Sequence, residues 1–173
     1  SSEHMLNLVN DILDHTKMEA GKVELVNVPV NMRMFSRQLM SRFSPQISAK
    51  GLQFKTFVDP ALDLELLTDE LRLNQVLNNL LSNAIKFTPQ GHITVAVNRI
   101  LASSSHATVQ FMIQDTGIGI PEDKRKEIFE SFTQADTDTT RKYGGTGLGL
   151  TITKDILKLF GSELVMQSEV GRG

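Results

Sequence analysis

The chain has no cysteine and no tryptophan, and only one tyrosine beside nine phenylalanines in 173 residues. Without Cys there is no disulfide scaffold, no thiolate metal site, no thiol nucleophile and no redox switch. With aromatics at 6%, Leu, Ile, Val, Met and Phe must fill the core. An excess of charge is lacking too: 18 basic side chains stand against 20 acidic ones, a formal net charge of −2. A non-specific nucleic-acid binder would be basic, so that class is excluded. No apolar run approaches the roughly 18 residues that span a bilayer, and no signal-peptide pattern opens the chain. It does not open on Met either, so a piece of a longer protein is expected. What is present is 40% hydrophobic and 22% charged residues. At roughly 100–200 residues per domain, the length suits one soluble α/β or α+β domain with a short appendage. Its function has to come from motifs.

Residues 3–20 read as an amphipathic helix, with Met5, Leu8, Val9, Ile12, Leu13 and Thr16 at three- and four-residue steps and Gly21 as the stop. Its apolar stripe calls for a partner helix. Val23–Val28 reads as a strand ended by Pro29. Asn31 can cap a second helix closed by Gly51, in which Pro45 predicts a kink or an early end. Leu52–Val58 alternates as a strand. A third helix starts at Thr68-Asp69-Glu70 and stops before Pro89. Two alternating runs, 92–100 and 108–115, form a hairpin, and Pro121 opens a short helix to Glu130. A polar segment then leads to a Gly-rich turn, a helix ending at Gly161 and a last strand, Glu163–Gln167. This order predicts a mixed sheet with helices on one face.

Three constellations carry chemistry. In the third helix, Gln75, Asn79, Asn83 and Lys86 fall within an arc of roughly 80° at about 100° per residue. Carboxamides and an ammonium one turn apart can hold a hard cation through oxygen and donate to phosphate oxygens; a solvated polar face is the alternative. Next, Asp115-Thr-Gly117-Ile-Gly119-Ile-Pro121 follows a strand. A carboxylate there can accept from an exocyclic amine while glycines let the backbone pass a flat ligand; a capped tight turn is the alternative. Last, Gly144-Gly-Thr-Gly147-Leu-Gly149-Leu150 leads into a helix, where backbone N–H groups can converge on an anion. It matches neither the dinucleotide fingerprint nor the lysine-bearing phosphate loop. In this order the three describe an ATP–Mg²⁺ pocket.

These residues resemble the catalytic ATP-binding domain of two-component sensor histidine kinases, most of all the hybrid-kinase branch. Asn79-Leu-Leu-Ser-Asn83-Ala-Ile-Lys86-Phe87-Thr88 is similar to the family's N box, Asp115–Pro121 to its G1 box and Gly144–Leu150 to its G2 box. Ile128-Phe129-Glu130-Ser131-Phe132 resembles the F box, and Leu13–Lys22 the end of the dimerisation hairpin. The resemblance implies a two-layer α/β sandwich of the Bergerat type over 23–173, preceded by a fragment of a dimerisation helix at 1–22. ATP would lie between the N-box helix and a lid at about residues 121–146. Asn79 would ligate Mg²⁺, Asn83 and Lys86 would reach the phosphates, and Phe87 would sit near the nucleotide. Asp115 would accept from the adenine amino group, with Gly117 and Gly119 letting the chain pass the base. Gly145, Thr146, Gly147, Leu148 and Gly149 would cradle the phosphates, and Phe129 and Phe132 would anchor the lid. Implied partners are a dimerisation hairpin, its own or a second subunit's, and a response-regulator receiver, in a full-length homodimer with no nucleic acid. The domain would be cytoplasmic, in a parent of the kind that is usually attached to a membrane.

Three departures qualify the resemblance. The family's phospho-accepting His lies in a His-Glu/Asp-x-x-x-Pro motif, which is absent. His4, His15, His92 and His106 read as ordinary surface or packing residues, so the chain should bind ATP without phosphorylating itself. Where many simple kinases carry a lid Arg, this chain has Gln134. Cationic help for the γ-phosphate would then fall to Arg141 or Lys142, for which a solvated charge pair is the plainer reading. The third departure is Gly171-Arg-Gly173, where the family continues into a closing strand; an exposed sheet edge is expected. Two rivals remain. The gyrase, mismatch-repair and chaperone ATPases place a Glu general base one helical turn before the magnesium Asn, and Gln75 stands there. A module that senses nucleotide without transferring phosphate is the other.

Overall fold

The computed structural model describes residues 2–119, 123, 149–162 and 164–173. Among the described residues ten elements follow one another: α1 (Ser2–Glu19), β1 (Val28–Asn31), α2 (Met32–Ala49), β2 (Gln53–Val58), a 3₁₀ turn (Pro60–Leu62), β3 (Glu65–Thr68), α3 (Glu70–Lys86), β4 (His92–Ala102), β5 (Ala107–Asp115) and α4 (Gly149–Leu159). The chain divides into two compact units, one of residues 26–119 and 171–173, the other of 1–25 and 120–170.

The first unit holds the mixed sheet. β2 runs parallel to β4, which is antiparallel to β5, in the order β2-β4-β5. Period-two alternation turns Ile93, Val95 and Val97 of β4 inward, each fully buried. Against them pack Phe35, Leu39, Phe43 and Ile47 of α2 and Leu77, Leu81 and Ala84 of α3. Phe35 meets Phe111 of β5 edge-on at 6.4 Å between ring centroids. Helix 2 begins as the sequence suggests, with the Asn31 side chain accepting from Met34 N–H at 3.0 Å. Pro45 does not end it: the helix continues to Ala49. Pro45 lies on the solvent face, where water can take the carbonyl that its missing N–H leaves unpaired.

Two strand assignments are corrected. Residues 23–27 form no strand; Val26 N–H instead donates to the Asp69 carboxylate at 2.9 Å. The ladder starts at Val28 and runs through Pro29, pairing antiparallel with β3, a four-residue strand whose Leu-Leu core alternation does not reveal. Residues 164–167 are not a strand either. In the second unit α1 packs on α4. His15 bridges them, with Nδ1 3.1 Å from Asp155 Oδ2 and Nε2 3.2 Å from Glu19 Oε1. Met5, Leu6, Val9, Ile12 and Leu13 of α1 remain exposed.

Candidate functional site

The candidate site forms where α3 and β5 both end, inside the first unit. Asp69, rather than Thr68, caps α3: one carboxylate oxygen accepts from Arg72 N–H at 3.0 Å and the other from Val26 N–H. Along the helix Val76, Leu77, Leu81 and Ala84 are buried, whereas Gln75, Asn79, Asn83 and Lys86 are half-buried on the opposite flank. The polar arc therefore stays clear of the core. Arg72 Nη1 donates to Gln75 Oε1 at 2.9 Å, and Arg42 Nη2 to Asn74 Oδ1 at 2.9 Å. Partial burial holds the Lys86 ammonium below its ordinary 10.5, because desolvation penalises the charged form.

A helix end leaves its last carbonyls without intrahelical partners, and here each finds one. Asn83 O accepts from Phe87 N–H at 3.0 Å, and Ala84 O from Thr88 Oγ1 at 2.6 Å. Ile85 O accepts from the Lys50 ammonium, which also reaches Lys86 O at 3.3 Å. Phe87 O accepts from Ile118 N–H at 3.1 Å. The N-terminal side of the glycine loop is thereby tied to the helix end.

Asp115 closes β5 opposite Ile93, and its Oδ1 accepts from Gly117 N–H at 2.8 Å. Thr116 Oγ1 accepts from His92 N–H at 3.0 Å, anchoring the loop to β4. Gly117 is buried. A Cβ there would stand 2.2 Å from Phe87 O and 2.9 Å from both Asp115 Oδ1 and Thr88 Oγ1, so no side chain fits. Gly119 sits at φ +72°, the left-handed region that glycine enters without strain.

The bond from Ile118 N–H to Phe87 O thus joins the end of α3, which carries Asn83, Lys86 and Phe87, to the loop that follows Asp115 and Gly117, with Asn79 one turn back along α3. Gly149 begins α4, in the second unit. Phe129, Phe132, Arg141, Lys142, Gly145, Thr146, Gly147 and Leu148, with the lid span apart from residue 123, lie outside the described residues. Lys50 is a contributor that motif reasoning passes over, and Thr88 stands in the N-box match with no role given to its hydroxyl. A Lys before a helix-ending Gly is commonplace, and only the meeting of α2 with α3 shows what it touches. No group of three or more His, Asp or Glu among the described residues could cage a metal. No helix among them is long and apolar enough to cross a membrane.

The profile of the histidine kinase-, DNA gyrase B- and HSP90-like ATPase family matches residues 68–173. Over 174 aligned residues the chain is 43% identical to the autoinducer 2 sensor kinase/phosphatase LuxQ of Vibrio vulnificus, all of the chain against 20% of that protein. Against the sensor protein GacS of Pseudomonas syringae it is 39% identical, covering all of the chain and 19% of GacS. Full-length ShkA, solved in complex with AMPPNP, superposes with a TM-score of 0.81 at 34% identity, over 98% of this chain and 34% of that one. The chain spans about a fifth of the length of these curated relatives.

Proposed function

We propose, from the premise that the chain belongs to the histidine kinase-, DNA gyrase B- and HSP90-like ATPase family, that it is the ATP-binding catalytic part of a sensor histidine kinase. It would pass the γ-phosphoryl group of ATP to a His on a dimerisation hairpin, and from there the group would reach an Asp of a receiver. The observation that carries this reading is the junction of Phe87 O with Ile118 N–H. It ties the end of α3 to the loop that follows Asp115, which supports a pocket in which the α3 flank meets phosphates and the carboxylate an adenine amine.

In this reading Asp115 Oδ1 holds the Gly117 amide while Oδ2 accepts from the exocyclic amine. Asn83 donates to phosphate oxygens, and Lys86, already partly desolvated, gains by pairing with them. Mg²⁺ usually takes one or two protein oxygens plus substrate phosphates and several waters. The Asn79 carboxamide, with no cage of His, Asp or Glu among the described residues, suits such a site. Bound there, the metal would neutralise charge on the transferring group. The acceptor imidazole attacks the γ-phosphorus in line, the bond to the β–γ bridging oxygen breaks, and ADP leaves. Gly145, Thr146, Gly147, Leu148 and Gly149, with Arg141 or Lys142, would meet the phosphates from the other side, and Phe129 and Phe132 would anchor the lid. The exposed stripe of Met5, Leu6, Val9, Ile12 and Leu13 would complete a helical dimerisation bundle in a full-length homodimer.

Gln75 favours transfer over hydrolysis. It accepts from Arg72, and a carboxamide cannot take a proton from water as a general base must. The test mixes this chain with a separate hairpin bearing an acceptor His and with γ-labelled ATP. Acid-labile, base-stable label on the hairpin is expected. Steady ATP turnover by the chain alone, abolished by Gln75→Ala, would overturn the assignment; tight binding with neither transfer nor turnover would leave the nucleotide-sensing alternative.

A further inference from the structure

We infer that Lys50 is a positioning residue for the nucleotide site: by occupying the terminal carbonyls of α3 it keeps the Lys86 ammonium available to an anionic ligand. The inference rests on the reading that Lys86 meets phosphate.

A lysine in the last turn of a helix ordinarily folds back onto the last carbonyls, drawn by their hydrogen-bonding capacity and by the negative end of the helix dipole. Lys86 is the last residue of α3, and desolvation makes it seek a counter-charge. Yet the carbonyls it would reach are taken. Lys50, the residue that caps α2, sends its ammonium across to Ile85 O and Lys86 O. The carbonyls on either side are equally committed, Ala84 O to the Thr88 hydroxyl and Phe87 O to the Ile118 amide. The Lys86 side chain makes no hydrogen bond or ion pair among the described residues.

Two consequences follow for binding. The helix end that faces the proposed phosphate position would otherwise present a partial negative charge to a polyanion; the Lys50 ammonium cancels it. Among the described residues, the same contact leaves the Lys86 ammonium without a protein partner. Lys50 does both without touching the nucleotide. Its site of action is the backbone behind Lys86, and α2 has no part in any of the sequence motifs.

The test is calorimetric titration with ATP–Mg²⁺ and with adenosine, which lacks phosphate, on wild type, Lys50→Met, Lys50→Arg, Lys86→Met and the Lys50→Met/Lys86→Met double variant. Lys50→Met keeps the aliphatic stem and lies on the surface, and Lys50→Gln serves as a second variant should it fold poorly. Expected are a loss of about fivefold in ATP affinity in Lys50→Met, by the size of helix-terminus charge effects, an unchanged adenosine affinity, and recovery in Lys50→Arg. In the Lys86→Met background, removal of Lys50 should cost no more than about twofold. Equal loss for ATP and adenosine, or the same loss with and without Lys86, would make Lys50 a structural cap only and overturn the inference. If Lys86→Met itself leaves ATP affinity unchanged, the reading of the site fails, and the inference with it.

Discussion

The carbonyl of Phe87 accepts the amide of Ile118 at 3.1 Å, and this bond joins the end of α3 to the loop after β5. Gly117 lies under it with no room for a methyl group. Gly117→Ala must therefore open the junction. By the cost of overpacking a tight site, it should destabilise the fold by about 2 kcal/mol. For a chain of this size that lowers Tm by roughly 4–8 °C. Thermal unfolding measures this, and an unaltered Tm would show that the loop approaches the helix less closely.

Asp115→Asn separates recognition from folding. The Asn carbonyl can still accept from Gly117 N–H, so Tm should stay within roughly 2 °C of wild type, the range of a small surface change. The amide that replaces the second oxygen can only donate, and it would face the donor amine of adenine. Affinity for ATP–Mg²⁺ should fall at least about tenfold, the range for an unpaired polar group in a site. Titration calorimetry decides it, and full affinity in the variant would place the base elsewhere.

Lys86 couples stability to pH. Burial lowers its folded-state value beneath the 10.5 of the unfolded chain. Between those two values the unfolded chain binds more protons, so stability rises with pH there and the cost of burial is fully present below. Lys86→Met should raise the Tm of the ligand-free protein at pH 7 while weakening ATP binding. That gain should shrink as pH climbs towards 10.5. A pH series of melts on both proteins checks the sign.

Asp59 shows the opposite linkage. The Ala61 amide first, then the Arg99 amide, hold its carboxyl below the usual 3.8. Its folded-state value is depressed, so its contribution is present above 3.8 and lost as pH falls through that lower value. Asp59→Ala should lower Tm at pH 7, and the two melting curves should converge in strong acid. A constant difference down to the lowest pH would point to lost packing instead of charge.

Much of the candidate site is legible in order along the chain. Asn79, Asn83 and Lys86 share a helix flank, and Asp115, Gly117 and Gly119 stand at and after a strand end, because 3.6-residue and two-residue periods alone encode those places. Helices 2 and 3 were found for the same reason, their caps at Asn31 and within one residue of Asp69. β3 escaped because Glu65–Thr68 has little strand propensity of its own and is a strand only by pairing with β1. The reverse happened at 23–27, where a strand-like pattern was overridden by a single bond from Val26 to the Asp69 cap.

The sequence by itself determined the mixed α/β class, the amphipathic faces of α2 and α3, and the family membership, because these reside in local period, capping and motif. Tertiary structure alone decided that Phe87 O meets Ile118 N–H, that Gly117 must be bare, and that Lys50 of α2 closes the end of α3. Each of those is a meeting of groups tens of residues apart. A hydrogen bond or a clash between such groups depends on how the helices pack on the sheet, and no local pattern records that.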